Sequence, residues 1–209
     1  MACALGALAV SRPLHAAPFT NGSFEVGPGI GGSFLTLSSG NTSITGWTVL
    51  PSSVDYIGSL WTAEDGTHSL DLSGAAPGGV AQTFDTNPGR SYDVAFYLAA
   101  NTDCGAAVKG VDVGATGSST SHYTFDGTGH SPSSMGWQQE HYAFVATATS
   151  TTLSFLSTES SVCGPALDDV SVTSGAAVPA LPPMAREAAP LLLLAAGLLA
   201  LGRARPASR

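Results

Sequence analysis

The sequence predicts an all-β protein: short antiparallel strands packed as a two-sheet sandwich or jelly roll, with one apolar helix added at the C-terminus. Apolar and polar residues alternate over stretches of about five residues, the period of a strand with one buried face. Turn-forming Gly, Asn, Asp and Pro punctuate the chain at short intervals. No amphipathic helical pattern and no internal repeat appears before the tail. Composition agrees: of 209 residues only 11% are charged, and 25 are Gly. That suits strands joined by turns better than helices.

The elements follow in order. Residues 1–17 read as an export signal: residues 4–10 are small and apolar, and Leu14-His15-Ala16-Ala17 offers a cleavage site. No basic residue precedes the apolar run, so a start codon further upstream and a disordered N-terminus both stay open. The body spans residues 18–174. Its turn signals are Gly22, Gly27-Pro28-Gly29, Gly31-Gly32, Gly40-Asn41, Asp65-Gly66, Pro77-Gly78-Gly79, Asn87-Pro88-Gly89 and Asp126-Gly127. Between them Ser69-Leu70-Asp71-Leu72 alternates strictly. Val80-Ala81-Gln82-Thr83-Phe84 and Tyr92-Asp93-Val94-Ala95-Phe96 alternate less strictly. Tyr142-Ala143-Phe144-Val145-Ala146, Thr151-Thr152-Leu153-Ser154-Phe155 and Asp168-Asp169-Val170-Ser171-Val172 read the same way. Short strands of this spacing make a sandwich. Residues 175–187 are a stiff Pro-rich linker, with Val178-Pro179-Ala180-Leu181-Pro182-Pro183 at its centre. Residues 188–202 carry no charged or polar side chain, and Arg203, Arg205 and Arg209 follow. The run is shorter than the ~20 residues of a comfortable spanning helix, and the basic flank keeps its end in the cytoplasm.

Charge excludes one class of partner. Of seven Lys and Arg, Arg12 lies in the leader, and Arg186, Arg203, Arg205 and Arg209 lie beyond the body. Arg90 and Lys109 are what the body retains, so nucleic acid is not a partner. Acidic carboxylates leave calcium open, beside the plainer role of a solvated surface. Of three cysteines, Cys3 is in the leader. Cys104 and Cys163 are an even pair in the body, and export favours their oxidation. A bridge closing roughly 60 residues stabilises by about 4 kcal/mol through chain entropy. The alternative is two free buried thiols. No Cys/His pattern supports zinc.

Two resemblances can be named. The spacer, short apolar helix and basic end of residues 178–209 resemble the PEP-CTERM type of sorting signal in Gram-negative bacteria, with Val-Pro-Ala-Leu-Pro-Pro in place of Pro-Glu-Pro. That implies a C-terminal sorting protease, transient residence in the inner membrane and delivery to the outer surface; a single-span anchor is the alternative. The body opens with Asn21-Gly22-Ser23-Phe24-Glu25 and closes with Gly164-Pro165-Ala166-Leu167-Asp168-Asp169-Val170-Ser171-Val172. Between them lie Gly46-Trp47, Ser53-Val54-Asp55-Tyr56-Ile57, Trp61, Asp65-Gly66, Gln82-Thr83-Phe84, Pro88-Gly89, Tyr92 and Trp137. As a set these resemble DUF642 and choice-of-anchor C proteins. The resemblance implies a galactose-binding-like jelly roll, a cell-surface or matrix role and affinity for polysaccharide.

Candidate site residues follow. In the jelly rolls this body resembles, first and last strands often pair near a calcium site. Asp168 shares the parity of Val170 and Val172, so it is expected to point inward, with Asp169 outward. An inward carboxylate needs a cation or strong donors. Glu25 is the second candidate ligand of a structural calcium ion; turn N–H groups are the alternative partners of both. Sugar rings stack on exposed aromatics, and Trp47, Tyr56, Trp61, Tyr97, Tyr123 and Trp137 are available. Trp47 is assigned to the core. Trp61 and Trp137 flank polar sequence and are taken as ligand contacts, with burial as the alternative. Tyr97 and Asn101 join them, where a strand enters the loop before Cys104. Catalysis is not expected. Gly129-His130-Ser131-Pro132-Ser133 lacks the second Gly of a nucleophile elbow, and no His pair has HExxH spacing. The expectation is an exported, non-catalytic polysaccharide-binding module; a purely structural matrix protein and a glycan hydrolase are the alternatives.

Overall fold

The computed structural model describes residues 18–177 apart from Ala106. The leader, the expected C-terminal helix and the sorting signal lie outside the described residues. Within them every regular element is a strand. One antiparallel sheet has six strands in the order β1 (Phe34–Ser38), β3 (Ser53–Ile57), β4 (Ser69–Asp71), β11 (Pro165–Ala177), β6 (Arg90–Ala100) and β9 (Gln138–Val145). The other has five: β2 (Thr48–Val49), β5 (Gly79–Asp85), β10 (Ser150–Ser157), β7 (Val108–Ala115) and β8 (Ser121–Asp126). This is the jelly-roll sandwich that the alternation predicts.

Alternation places the core. On β6, Tyr92, Val94, Phe96 and Leu98 are buried, while Asp93, Ala95 and Tyr97 are half-exposed. The inner row Leu35, Tyr56, Leu70, Leu167 and Leu98 runs across five paired strands. Phe96 of the six-stranded sheet meets Phe155 of the other edge-on, with ring centroids 5.2 Å apart. Trp47 lies beside Phe24 and Phe155 and is 2% exposed. Each such side chain stabilises the fold by about 1.5–3 kcal/mol through removal from water.

The expected pairing of first and last strands does not occur. β1 pairs with β3 at the sheet edge, and β11 lies centrally between β4 and β6. The chain's opening meets β11 differently: the Val170 N–H donates to the Gly22 carbonyl at 3.0 Å. The approach is so close that a Cβ on Gly22 would stand 1.7 Å from the Val170 oxygen. Asn21 and Phe24 adopt φ of 53° and 59° in the same turn. Asn21 holds it by donating from Nδ2 to the Val26 and Thr45 carbonyls, at 3.0 and 2.9 Å. Phe24 is buried, and its carbonyl accepts the Tyr56 hydroxyl at 2.6 Å. The N-G-S-F-E opening is therefore a structural latch.

Parity fails at Asp168 for a second reason. Asp168 pairs with Tyr97, and Ser171 with Ala95, so Asp169 and Val170 together face Phe96 alone. This bulge, with Asp169 at φ 39°, breaks the period of two. Leu167 and Val170 face the core, whereas Asp168 lies with Tyr97 on the outer face of the sheet. Cys104 and Cys163 are disulfide-bonded, with Cα atoms 5.9 Å apart.

Candidate functional site

The site grows from one row of paired residues. Register sets Thr36 beside Asp55, Asp55 beside Asp71, and Asp71 beside Ala166. Paired residues share a face, and the neighbouring row faces the core. Thr36, Asp55 and Asp71 therefore occupy the outer face of the six-stranded sheet.

Asp71 is fully buried there. The Ser73 and Gly164 N–H groups donate to its Oδ1 at 2.8 and 3.0 Å, and Asn101 Nδ2 donates to Oδ2 at 2.8 Å. Gly164 suits this contact, since a Cβ would lie 2.5 Å from Asp71 Oδ1. Burial pushes the carboxyl up to about 7, and the Asp55 charge adds to it, against the three hydrogen bonds. Asn101 passes the order on: its Oδ1 accepts the Asp103 N–H at 2.9 Å, and its own N–H donates to the Gly164 carbonyl at 3.0 Å. The Cys104–Cys163 bond closes this corner.

Around this row lies a groove of about 340 Å³. β1 and β3 contribute Phe34, Thr36 and Asp55. The disulfide corner contributes Asn101, Asp103, Val162 and Cys163. Leu60, Gly74 and Ala75 come from the connections flanking β4. Phe34 and Val162 present apolar surface to water, at 44% and 50% exposure. Thr36 Oγ1 donates to Asp55 Oδ1 at 2.6 Å. Burial raises the Asp55 carboxyl above its usual range, against that bond. Apolar faces thus stand beside carboxylate, amide and hydroxyl groups, the mixture small-ligand sites use to bury one side and orient another. A second concavity of about 310 Å³ is lined by Ser91, Ser118, Ser119, Ala143, Phe144 and Val145 and lacks carboxylate and amide side chains.

The residues expected from sequence distribute unevenly about this groove. Asn101 belongs to it. Trp61 does not offer a stacking face: it is 5% exposed, and its indole N–H donates to Ser69 Oγ at 2.8 Å. Ser69 follows the same outward parity as Asp71, so Trp61 covers that face and is itself covered. Trp137 is half-buried, with its indole N–H on the Thr62 carbonyl at 3.0 Å. Tyr97 is half-buried on the outer face, beside Asp168 and Gln139. Neither residue lines the groove. Phe34, Thr36, Asp55, Asp103 and Val162 were not singled out as ligand contacts. The available signals are the strand-like Phe34-Leu35-Thr36-Leu37 and the Ser53-Val54-Asp55-Tyr56-Ile57 motif that holds Asp55.

Glu25 and Asp168 both accept hydrogen bonds from backbone N–H groups. The Glu64 and Asp65 N–H groups donate to Asp168 Oδ2 at 2.8 and 3.2 Å, and the Asp169 N–H to Oδ1 at 2.7 Å. Burial pushes Asp168 up to about 7 against these three bonds, and the Glu64 charge adds to the rise. The Thr67 and His68 N–H groups donate to Glu25 Oε1 at 2.8 and 2.7 Å, and the Thr67 hydroxyl to Oε2 at 2.9 Å. Burial opposes them, yet these bonds hold the Glu25 carboxyl below its usual range. The two carboxylates pin neighbouring stretches of the β3–β4 connection. Calcium asks for roughly six to eight oxygens. Among the described residues no group of three or more His, Cys, Asp or Glu converges on a metal position. Turn N–H groups take oxygens of both Glu25 and Asp168, the alternative partners expected from the sequence.

Comparison with known proteins adds the following. The family model described as "Protein of unknown function (DUF642)" matches residues 17–173. Halomucin of Haloquadratum walsbyi is 32% identical over 159 residues, which are 73% of this chain and 2% of Halomucin. The chain thus spans a small fraction of that relative. A cyclase from Fischerella sp. TAU superposes with a TM-score of 0.50 at 15% identity, covering 78% of this chain and 99% of that one. CBM35 from Paenibacillus barcinonensis gives 0.44 at 16%, over 68% and 99%. TmCBM61, solved with β-1,4-galactotriose, gives 0.45 at 13%, over 76% and 99%. At such identities these are likenesses of fold.

Proposed function

The chain belongs to the DUF642 family, and on that premise we propose that its outer-face groove binds polysaccharide without catalysis. One observation carries the reading: exposed Phe34 and Val162 lie in the same groove as Thr36, Asp55, Asn101 and Asp103. A sugar ring has an apolar C–H face and an equatorial fringe of hydroxyls. The apolar side chains match the first, and the Asp55 and Asp103 carboxylates and the Thr36 hydroxyl match the second. Asp71 speaks against hydrolysis. It is the carboxylate beside Asp55, but it is buried, and both its oxygens already accept hydrogen bonds.

The test is affinity electrophoresis of the full chain through gels holding neutral polysaccharides. Phe34→Ala should weaken retention by roughly tenfold, the scale of one lost apolar contact. Its melting temperature should barely move, since Phe34 is partly exposed. Retention unchanged by Phe34→Ala would place binding elsewhere. A folded chain retained by no polymer would return the protein to a structural matrix role.

The same proposal includes the address. The leader, the Pro-rich linker and the basic-ended apolar run support export to the surface of a Gram-negative cell, with a sorting protease and the inner membrane as transient partners. The disulfide agrees with an oxidising compartment.

A further inference from the structure

We infer that the groove selects uncharged sugar chains and excludes polyuronates and sulfated polymers. This rests on the groove being the glycan site. The argument is one of charge placement. Asp55 and Asp103 line the groove. No Lys, Arg or His is among its described lining residues.

Basic side chains elsewhere among the described residues are engaged. Arg90 starts β6 and Asn101 follows its end, so the strand's length of about 30 Å separates Arg90 from the groove. Its guanidinium donates to the Gly175 carbonyl at 3.2 Å. Lys109 is buried, with Nζ 3.7 Å from Glu159. His68 faces Glu25, His122 faces Asp112, and His141 faces Asp93. His130 packs on Phe125. An anionic sugar entering the groove would meet carboxylates with no compensating cation. A neutral sugar would meet the same carboxylates as hydroxyl acceptors, a charge-assisted hydrogen bond on each.

The experiment uses the full chain with mixed-linkage β-glucan and β-1,4-galactan. Each is offered native and after oxidation of its C6 hydroxymethyl groups to carboxylates. The backbone is then constant and charge is the variable. Oxidation should weaken retention by roughly tenfold at low salt, and the gap should narrow as salt screens it. The double variant Asp55→Asn, Asp103→Asn should shrink the ratio of native to oxidised binding, with its melting temperature confirming the fold. Equal or stronger retention of the oxidised polymers, with or without added calcium ion, overturns the inference while leaving the groove a glycan site. Retention of neither native polymer overturns the glycan reading and the inference with it.

Discussion

Replacing Asp71 by Ala would remove one acceptor group from three donors at once. The Ser73 and Gly164 N–H groups and Asn101 Nδ2 all point at it. A buried donor left without a partner costs about 1–3 kcal/mol. The adjoining groove lets water reach the vacated space, so the low end applies, and three donors give about 3 kcal/mol. For a domain of this size that is a fall in melting temperature of about 6–12 °C. Thermal and urea unfolding followed by circular dichroism would measure it. The pH dependence supplies a second reading. The folded carboxyl sits at about 7 against an ordinary 3.8, so the native state holds the proton more tightly. Its stabilisation is complete below about pH 4 and is lost as pH rises through 7. Wild-type stability should therefore decline from pH 5 to pH 8. The variant should decline less, keeping the part due to Asp168, which is shifted the same way. A melting temperature within about 1 °C of wild type, or an unchanged pH slope, would refute the argument.

Gly22→Ala should destabilise by about 2–4 kcal/mol, by forcing the latch away from the Val170 carbonyl and weakening its bond. Gly29→Ala, with nothing within 4 Å of the added methyl, should be neutral or slightly stabilising in the same urea titration. The double variant Cys104→Ser, Cys163→Ser opens a loop of 59 residues and should lose about 4 kcal/mol; glycan retention should fall with it, since both cysteine segments border the groove. A chelator should leave the melting temperature within about 1 °C, because Glu25 and Asp168 hold N–H groups; a rise of several degrees on adding calcium would reverse that assignment.

Alternation made β4, β5, β6, β9, β10 and much of β11 legible, because each has one face against the core. β7 was obscured by Lys109, which takes the parity of buried Val111, Val113 and Ala115, and by exposed Val108; β8 was obscured by its polar Ser121-His122-Tyr123-Thr124 run. β2 spans two residues, too short for any period to register. Asp168 was assigned a burial that proved right and a face that proved wrong. A bulge is set by partner geometry, and one strand's own sequence does not announce it. The groove was mostly illegible for a related reason. Its residues come from β1, β3, the connections around β4 and the disulfide corner. Register alone brings Thr36, Asp55 and Asp71 side by side. Asn101 was within reach of the sequence because it follows the end of a long strand, three residues before a cysteine. Trp61 misled because its polar neighbours Thr62, Glu64 and Asp65 belong to a connection folded over the sheet.

The central position of β11 has a consequence for the order of events in folding. β4 and β6 are separated in the sheet by a strand made last, and the opening turn bonds to that same strand. Until Pro165 and its successors exist, the six-stranded sheet is two fragments with exposed edges, and the opening turn lacks the Val170 N–H that donates to Gly22. Such non-local closure is slow and comes late. The six-stranded sheet therefore cannot be completed until nearly all of the body has been made.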